Sequence, residues 1–224
     1  MNQITFENVL PEVFRSVSGD SAVHRSDVWR SRCMFRRPGR YIVEAASGTG
    51  KSSMCSFIYG NRSDYDGIIR FNDTDIHAYN IDDWCELRRR HLALLPQEMR
   101  LFPELTVREN IMLKNRLTDF MSEKEIKDML DEFGILVKYD VPAAMLSIGQ
   151  QQRVAIVRAI CQPFDFLLLD EPVSHLDRDN NIIAAAMVTR AASSLDASII
   201  STSVGNPLML DSHAPQHSLT ILKL

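Results

Sequence analysis

The stretch EAASGTGKSS, Glu44 to Ser53, follows the apolar run Tyr41-Ile42-Val43 and precedes Met54, Phe57 and Ile58, which recur at helical spacing. A strand, a glycine turn and a helix in that order make a cradle for phosphate. Glycines let consecutive backbone N–H groups turn inward on one anion, and the helix N-terminus adds positive potential. The loop pattern G-x-x-x-x-G-K-[ST] is met at Gly50, Lys51 and Ser52, while Ala45 stands in place of its first glycine. Alanine is tolerated there if its φ is negative and strained if φ must be positive. The anion nest belongs to the later residues Ser47, Gly48, Thr49, Gly50, Lys51, Ser52 and Ser53. Lys51 then reaches the β- and γ-phosphates, and Ser52 ligates Mg²⁺. A dinucleotide fingerprint, G-x-G-x-x-G, needs glycine at Ser53 and is disfavoured.

A second stretch supplies the partner of such a loop. FLLLDEP, Phe166 to Pro172, reads as a buried strand with Asp170 and Glu171 at its end. An aspartate there holds Mg²⁺ beside the phosphates. The next carboxylate points to the other face and polarises the attacking water.

The bulk composition is compatible with one soluble domain over 1–224. Hydrophobic residues are 45% and charged residues 24% of 224. The formal net charge of -4 argues against a nucleic-acid partner. No apolar run approaches the roughly 18 residues that span a bilayer, and MNQITFENVL lacks the pattern of a signal peptide. The expectation is a cytoplasmic chain. Cys33, Cys55, Cys85 and Cys161 are scattered without metal spacing and read as buried thiols.

Along the chain, strand-like runs alternate with helical ones, which predicts a partly parallel α/β sheet. Strands are expected at Gly67–Phe71, Leu92–Leu95, Phe166–Leu169, Ala197–Thr202 and Ser218–Leu222. Helices are expected at Asp82–Arg90, Ser122–Phe133, Ser147–Cys161 and Asn180–Ser194. Ser122 and Glu125 form a capping-box pair. Residues 97–146 carry helices with little strand and are expected to form a helical subdomain. Arg25, Arg30, Arg32, Arg36, Arg37 and Arg40 alternate with Val28, Cys33 and Phe35, which reads as the solvated face of an edge hairpin.

LSIGQQQRVAIVRAI, Leu146 to Ile160, resembles the LSGGQ signature of ATP-binding cassette (ABC) proteins and its following helix, just upstream of the acidic strand. SHLD, Ser174 to Asp177, is similar to the D-loop of that family. LLPQEMRLFPELTVRENI, Leu94 to Ile111, resembles the Q-loop around Gln97 and the segment after it. The resemblance covers nearly the whole chain and looks most like ATPase subunits of the lipoprotein-release and macrolide-export type.

It implies a P-loop NTPase core of the ABC ATPase type, with a helical and an antiparallel β subdomain. It further implies a head-to-tail dimer, either with a second copy or with another ATP-binding subunit, closed on two ATPs. Lys51 and Ser52 of one chain then face Ser147, Gly149 and Gln150 of the other, with Asp177 on the dimer-facing loop. Gln97 senses Mg²⁺ or the γ-phosphate, and Phe14, with Trp29 as its competitor, stacks on adenine. The partner is a membrane-spanning permease, so the chain is expected at the cytoplasmic face of the membrane.

Three positions depart from the family pattern: Ala45, Ile148 in place of the first signature glycine, and Ser203 in place of the switch histidine. A serine hydroxyl still donates a hydrogen bond but is shorter and uncharged. With Glu171 present, slower hydrolysis is the expectation. A non-hydrolysing ATP-binding switch is the alternative. An N-K-x-D base reader, which a GTPase would carry, is absent from the sequence.

Overall fold

The computed structural model describes residues 1–15, 26–210 and 219–224. Its strands are β1 (Gln3–Pro11), β2 (Arg32–Arg36), β3 (Arg40–Glu44), β4 (Tyr65–Phe71), β5 (Thr74–Asp75), β6 (Leu92–Leu95), β7 (Phe166–Asp170), β8 (Ser198–Ser203) and β9 (Leu219–Lys223). Its α-helices are α1 (Lys51–Ile58), α2 (Ile81–Glu86), α3 (Val107–Asn115), α4 (Glu123–Glu132), α5 (Ile148–Ile160) and α6 (Arg178–Ser194).

Two sheets organise these elements. A parallel sheet runs β6-β7-β8-β3-β9, and an antiparallel sheet runs β2-β1-β4-β5. Every residue of β7 is buried, which is why FLLLD carries no alternation. Successive side chains go to opposite faces. Leu167 and Leu169 join a core shared with α3, α4, α5 and α6, while Phe166 and Leu168 join one shared with α1 and the antiparallel sheet. The parallel sheet is thus the middle layer, and the carboxyl ends of its strands open toward the loops where ligands of α/β sheets bind.

The short-range signals place most elements within a residue or two. Ser122 caps α4 and Glu125 closes the box, as their spacing predicts. The helix expected over 82–90 is shorter: α2 ends at Glu86 and relaxes into a π-helical turn, Leu87–His91. Strand β1 is not among the expected strands: residues 3–7 alternate polar and apolar, but the alternation breaks at Asn8, which has φ 52 where the pairing with β4 shifts register between Glu7 and Leu10. Ser218, expected to open the last strand, lies outside the described residues.

Two sequence-based expectations are corrected. The arginines do not share one solvated face. Strand β2 does lie at a sheet edge, with Arg32 and Arg36 exposed, but its partner is β1. Arg40 is buried, and Arg37 turns inward to the Leu195 and Asp196 carbonyls and to Asp165. Arg25 lies outside the described residues. Of the four cysteines, Cys85 is exposed on α2, while the other three are buried.

Candidate functional site

The phosphate loop leaves the end of β3 and turns into α1 at Gly50. Gly50 has φ 98 and Gly48 φ 84, values that suit glycine. A Cβ on Gly50 would lie 3.1 Å from both the Phe14 and Trp29 rings. Ala45 is not among the described residues with positive φ, so the missing first glycine brings no strain. Its N–H donates to the Ser203 carbonyl at 3.2 Å, tying the loop to β8. Lys51 is buried. Its Nζ donates to the Ala46 carbonyl at 2.9 Å and lies 3.7 Å from Glu171 Oε1.

The acidic pair is held by a rung of the sheet. Asp170 and Val43 both align with Thr202. Thr202 Oγ1 donates to Asp170 Oδ1 at 2.7 Å and accepts from the Glu171 N–H at 3.1 Å. One hydroxyl therefore fixes both carboxylate residues. Glu171 sits at φ 51, which for a non-glycine residue costs about 1–3 kcal/mol and persists where neighbours impose it. Ser203, one residue on, is 1% exposed, and its Oγ has no hydrogen-bond partner. Behind the site, burial and then the Asp170 charge push the Cys55 thiol well above its usual value. That thiol stays protonated and inert.

A cavity of about 250 Å³ opens over the loop, lined by Val13, Phe14, Ser47, Gly48, Gly50, Lys51, Ser52, Ser53, Gln97 and Glu171. Phe14 is part of its wall. Trp29 is not: it is 2% exposed, and its Nε1 donates to the Thr49 carbonyl at 3.0 Å, bracing the loop from beneath.

Ser147 caps α5. Its Oγ accepts from the Gln150 N–H at 3.3 Å, and its own N–H donates to Gln150 Oε1 at 3.0 Å. Ile148 beside it is 51% exposed. Gly149 packs on the next loop: a Cβ there would sit 3.0 Å from the His175 carbonyl oxygen. Asp177 caps α6, and the Asn180 backbone N–H holds its carboxyl below the usual range.

A strand–loop–helix with a buried lysine beside a glutamate, and a separate capped helix start, delimit the families that fit. The family model for ABC transporters matches residues 41–174. The chain belongs to the ABC transporter family. The ATP-binding protein LolD of the lipoprotein-releasing system of Novosphingobium aromaticivorans is 34% identical over 67% of this chain and 69% of its own. The putative hemin import ATP-binding protein HrtA of Staphylococcus haemolyticus is 32% identical over 66% and 67%. The bacterial ABC transporter cassette MJ0796, solved as a dimer, superposes over 98% of this chain and 94% of its own with TM-score 0.75 at 21% identity, a likeness of fold.

This ABC subunit accordingly binds and hydrolyses ATP, as its family does. Of the residues expected at its site, one chain brings Phe14, Ser47, Gly48, Gly50, Lys51, Ser52, Ser53, Gln97 and Glu171 around a single cavity. Thr49 turns its hydroxyl to the Ala46 carbonyl. Asp170 and Ser203 lie buried in the strand ends beneath. Ser147, Gly149, Gln150 and Asp177 do not line the cavity. Two residues escaped the sequence reading: Thr202, which joins the acidic pair, and Gln152, which ties α5 to the turn after β7. Gln152 closes the polar stretch Gln150-Gln151-Gln152-Arg153, and nothing in the sequence set it apart from its neighbours.

Proposed function

We propose that two such chains, or this chain and a second ATP-binding subunit, close head to tail on two ATP molecules and drive a separate membrane-spanning permease. The observation that carries the reading is the split site. Lys51, Gln97 and Glu171 share one cavity, while Ser147 and Gly149 are presented on the N-terminus of α5 outside it. A second chain would complete each cage, with the α5 N-terminus against the γ-phosphate.

In this reading Lys51 exchanges its carbonyl partners and Glu171 for β- and γ-phosphate oxygens. Glu171 then orients the attacking water. Phe14 stacks on the adenine. The oxygen donors Ser52, Asp170 and Gln97 suit a hard cation and would hold Mg²⁺, which neutralises phosphate charge. Ser203 supplies a neutral donor where the family has its switch histidine, which makes turnover slow.

Among the described residues no helix is long and apolar enough to cross a membrane. The chain would sit at the cytoplasmic face through its permease. A groove of about 300 Å³ lined by Leu94, Pro96, Phe102, Leu113 and Arg158 adjoins the Gln97 segment and supports docking there. Residues 97–146 would act as the helical subdomain that carries α3 and α4 against that partner. Cargo choice belongs to the permease.

Steady-state ATP turnover of the purified chain, beside Glu171→Gln, tests the reading. Turnover that falls at least about a hundredfold in the variant, to a small measurable residue, while ATP binding persists supports it. ATP bound without turnover, even in membranes containing the permease, would favour the switch, which the buried, unpartnered Ser203 hydroxyl keeps in view.

A further inference from the structure

Gln152 lies on α5, five residues beyond the Ser147 cap, and is 1% exposed. A carboxamide so buried needs partners for both its ends. Its Nε2 donates to the Glu171 carbonyl at 3.2 Å and to Ser174 Oγ at 3.2 Å. Its Oε1 accepts from the His175 N–H at 2.8 Å. All these partners belong to the single turn that follows β7. That turn opens on Glu171 in the left-handed region, a conformation its neighbours must impose. Thr202 holds the Glu171 N–H from the sheet side, and Gln152 holds its carbonyl from the helix side. The same helix presents Gly149 against the His175 carbonyl.

We propose that Gln152 is a positioning residue for hydrolysis: it locks the backbone of Glu171 and the 174–175 turn to α5, so that the helix capped by Ser147 and the carboxylate of the same chain move as one body. The proposal rests on the reading of Glu171 as the group that orients water. Its consequence is a mechanical link between the two ATP sites of a dimer. The α5 N-terminus that meets one nucleotide is fastened, through Gln152, to the glutamate that serves the other.

The test uses the full chain as wild type, Gln152→Met, Gln152→Glu, Glu171→Gln and the double variant Gln152→Met/Glu171→Gln. Methionine keeps the volume and removes every hydrogen bond. Glutamate keeps the acceptor for His175 and loses the amide donor. Gln152→Met is expected to lower kcat about tenfold or more while KM for ATP changes less than about twofold. Amide exchange in residues 171–176 is expected to rise about tenfold, with exchange in α4 unchanged. Added to Glu171→Gln, it is expected to lower turnover no further, because the group it positions is already gone. Gln152→Glu should protect the His175 amide yet still lose turnover, and it carries the comparison if the methionine variant folds poorly. Unchanged kcat and unchanged exchange in 171–176 would overturn the proposal, as would a loss that multiplies on the Glu171→Gln background. Turnover that survives Glu171→Gln alone would instead overturn the role given to Glu171.

Discussion

Ser203, which we propose stands at the switch position, can be tested as a single side chain. Its hydroxyl is buried and unpartnered at the end of β8, a desolvation cost that the fold carries in this state. Ser203→Ala removes that cost. Chemical denaturation should show the variant more stable by about 1 kcal/mol. If the hydroxyl donates to the γ-phosphate, kcat should at the same time fall about tenfold. Stability and activity moving in opposite directions separates a ligand-facing serine from a packing serine. Gly149 makes the complementary case. An added Cβ meets the His175 carbonyl at 3.0 Å, closer than such contacts normally run. Gly149→Ala should leave ATP binding at the Lys51 loop intact and lower turnover at least tenfold, an estimate on the order of one displaced transition-state contact. Equilibrium binding of a fluorescent ATP analogue, read beside turnover, checks it.

Among the described residues, four helices begin with a side-chain cap that closes a reciprocal box: Asn80 for α2, Thr106 for α3, Ser122 for α4 and Ser147 for α5. In each, the cap accepts from the N3 backbone and the N3 side chain returns to the cap N–H. Ser122 has that task alone. Ser122→Ala should cost about 1 kcal/mol of stability and leave kcat unchanged. Ser147→Ala should cost a similar amount, about 1 kcal/mol, and, if a second chain closes on this helix as proposed, should also reduce turnover. The pair of variants, measured by thermal unfolding and by ATPase assay, divides capping from ligand binding. The Ser122–Glu125 box was legible in the sequence because cap and N3 are three residues apart, whereas the boxes at Asn80, Thr106 and Ser147 emerged only in the structure. Strand β1 was not predicted: its alternation covers only residues 3–7 before the bulge at Asn8 breaks it.

Across the whole molecule, the two cores meet at the parallel sheet, and the helical side carries the groove beside Gln97. Lys114 lies in that groove. Burial first, and then the Arg158 charge, lower its pKa to about 8. The unfolded chain holds the proton up to a higher pH than the folded one, so folding gains stability as pH rises from about 8 toward the ordinary lysine value. Lys114→Met should therefore stabilise the chain at pH 7, with an advantage that shrinks above pH 8; denaturant midpoints across that range check the sign. At the same scale, Glu171→Gln with ATP should run as a dimer in light scattering, whereas Lys51→Ala with ATP should stay monomeric.

Most of the candidate site is legible from neighbours along the chain. Gly48, Gly50, Lys51 and Ser52 constrain one another within a single turn, and FLLLDE announces a doubly covered strand with its acids at the end. These are demands of local backbone geometry and burial, which consecutive residues express directly. The tertiary structure alone decided the rest. It chose Phe14 over Trp29 for the cavity wall, sent Arg37 and Arg40 inward, and joined Thr202 to Asp170 and Gln152 to Glu171 across 32 and 19 residues. Such pairs depend on strand order and helix packing, where a shift of one residue turns a side chain to the opposite face, so no spacing along the chain encodes them.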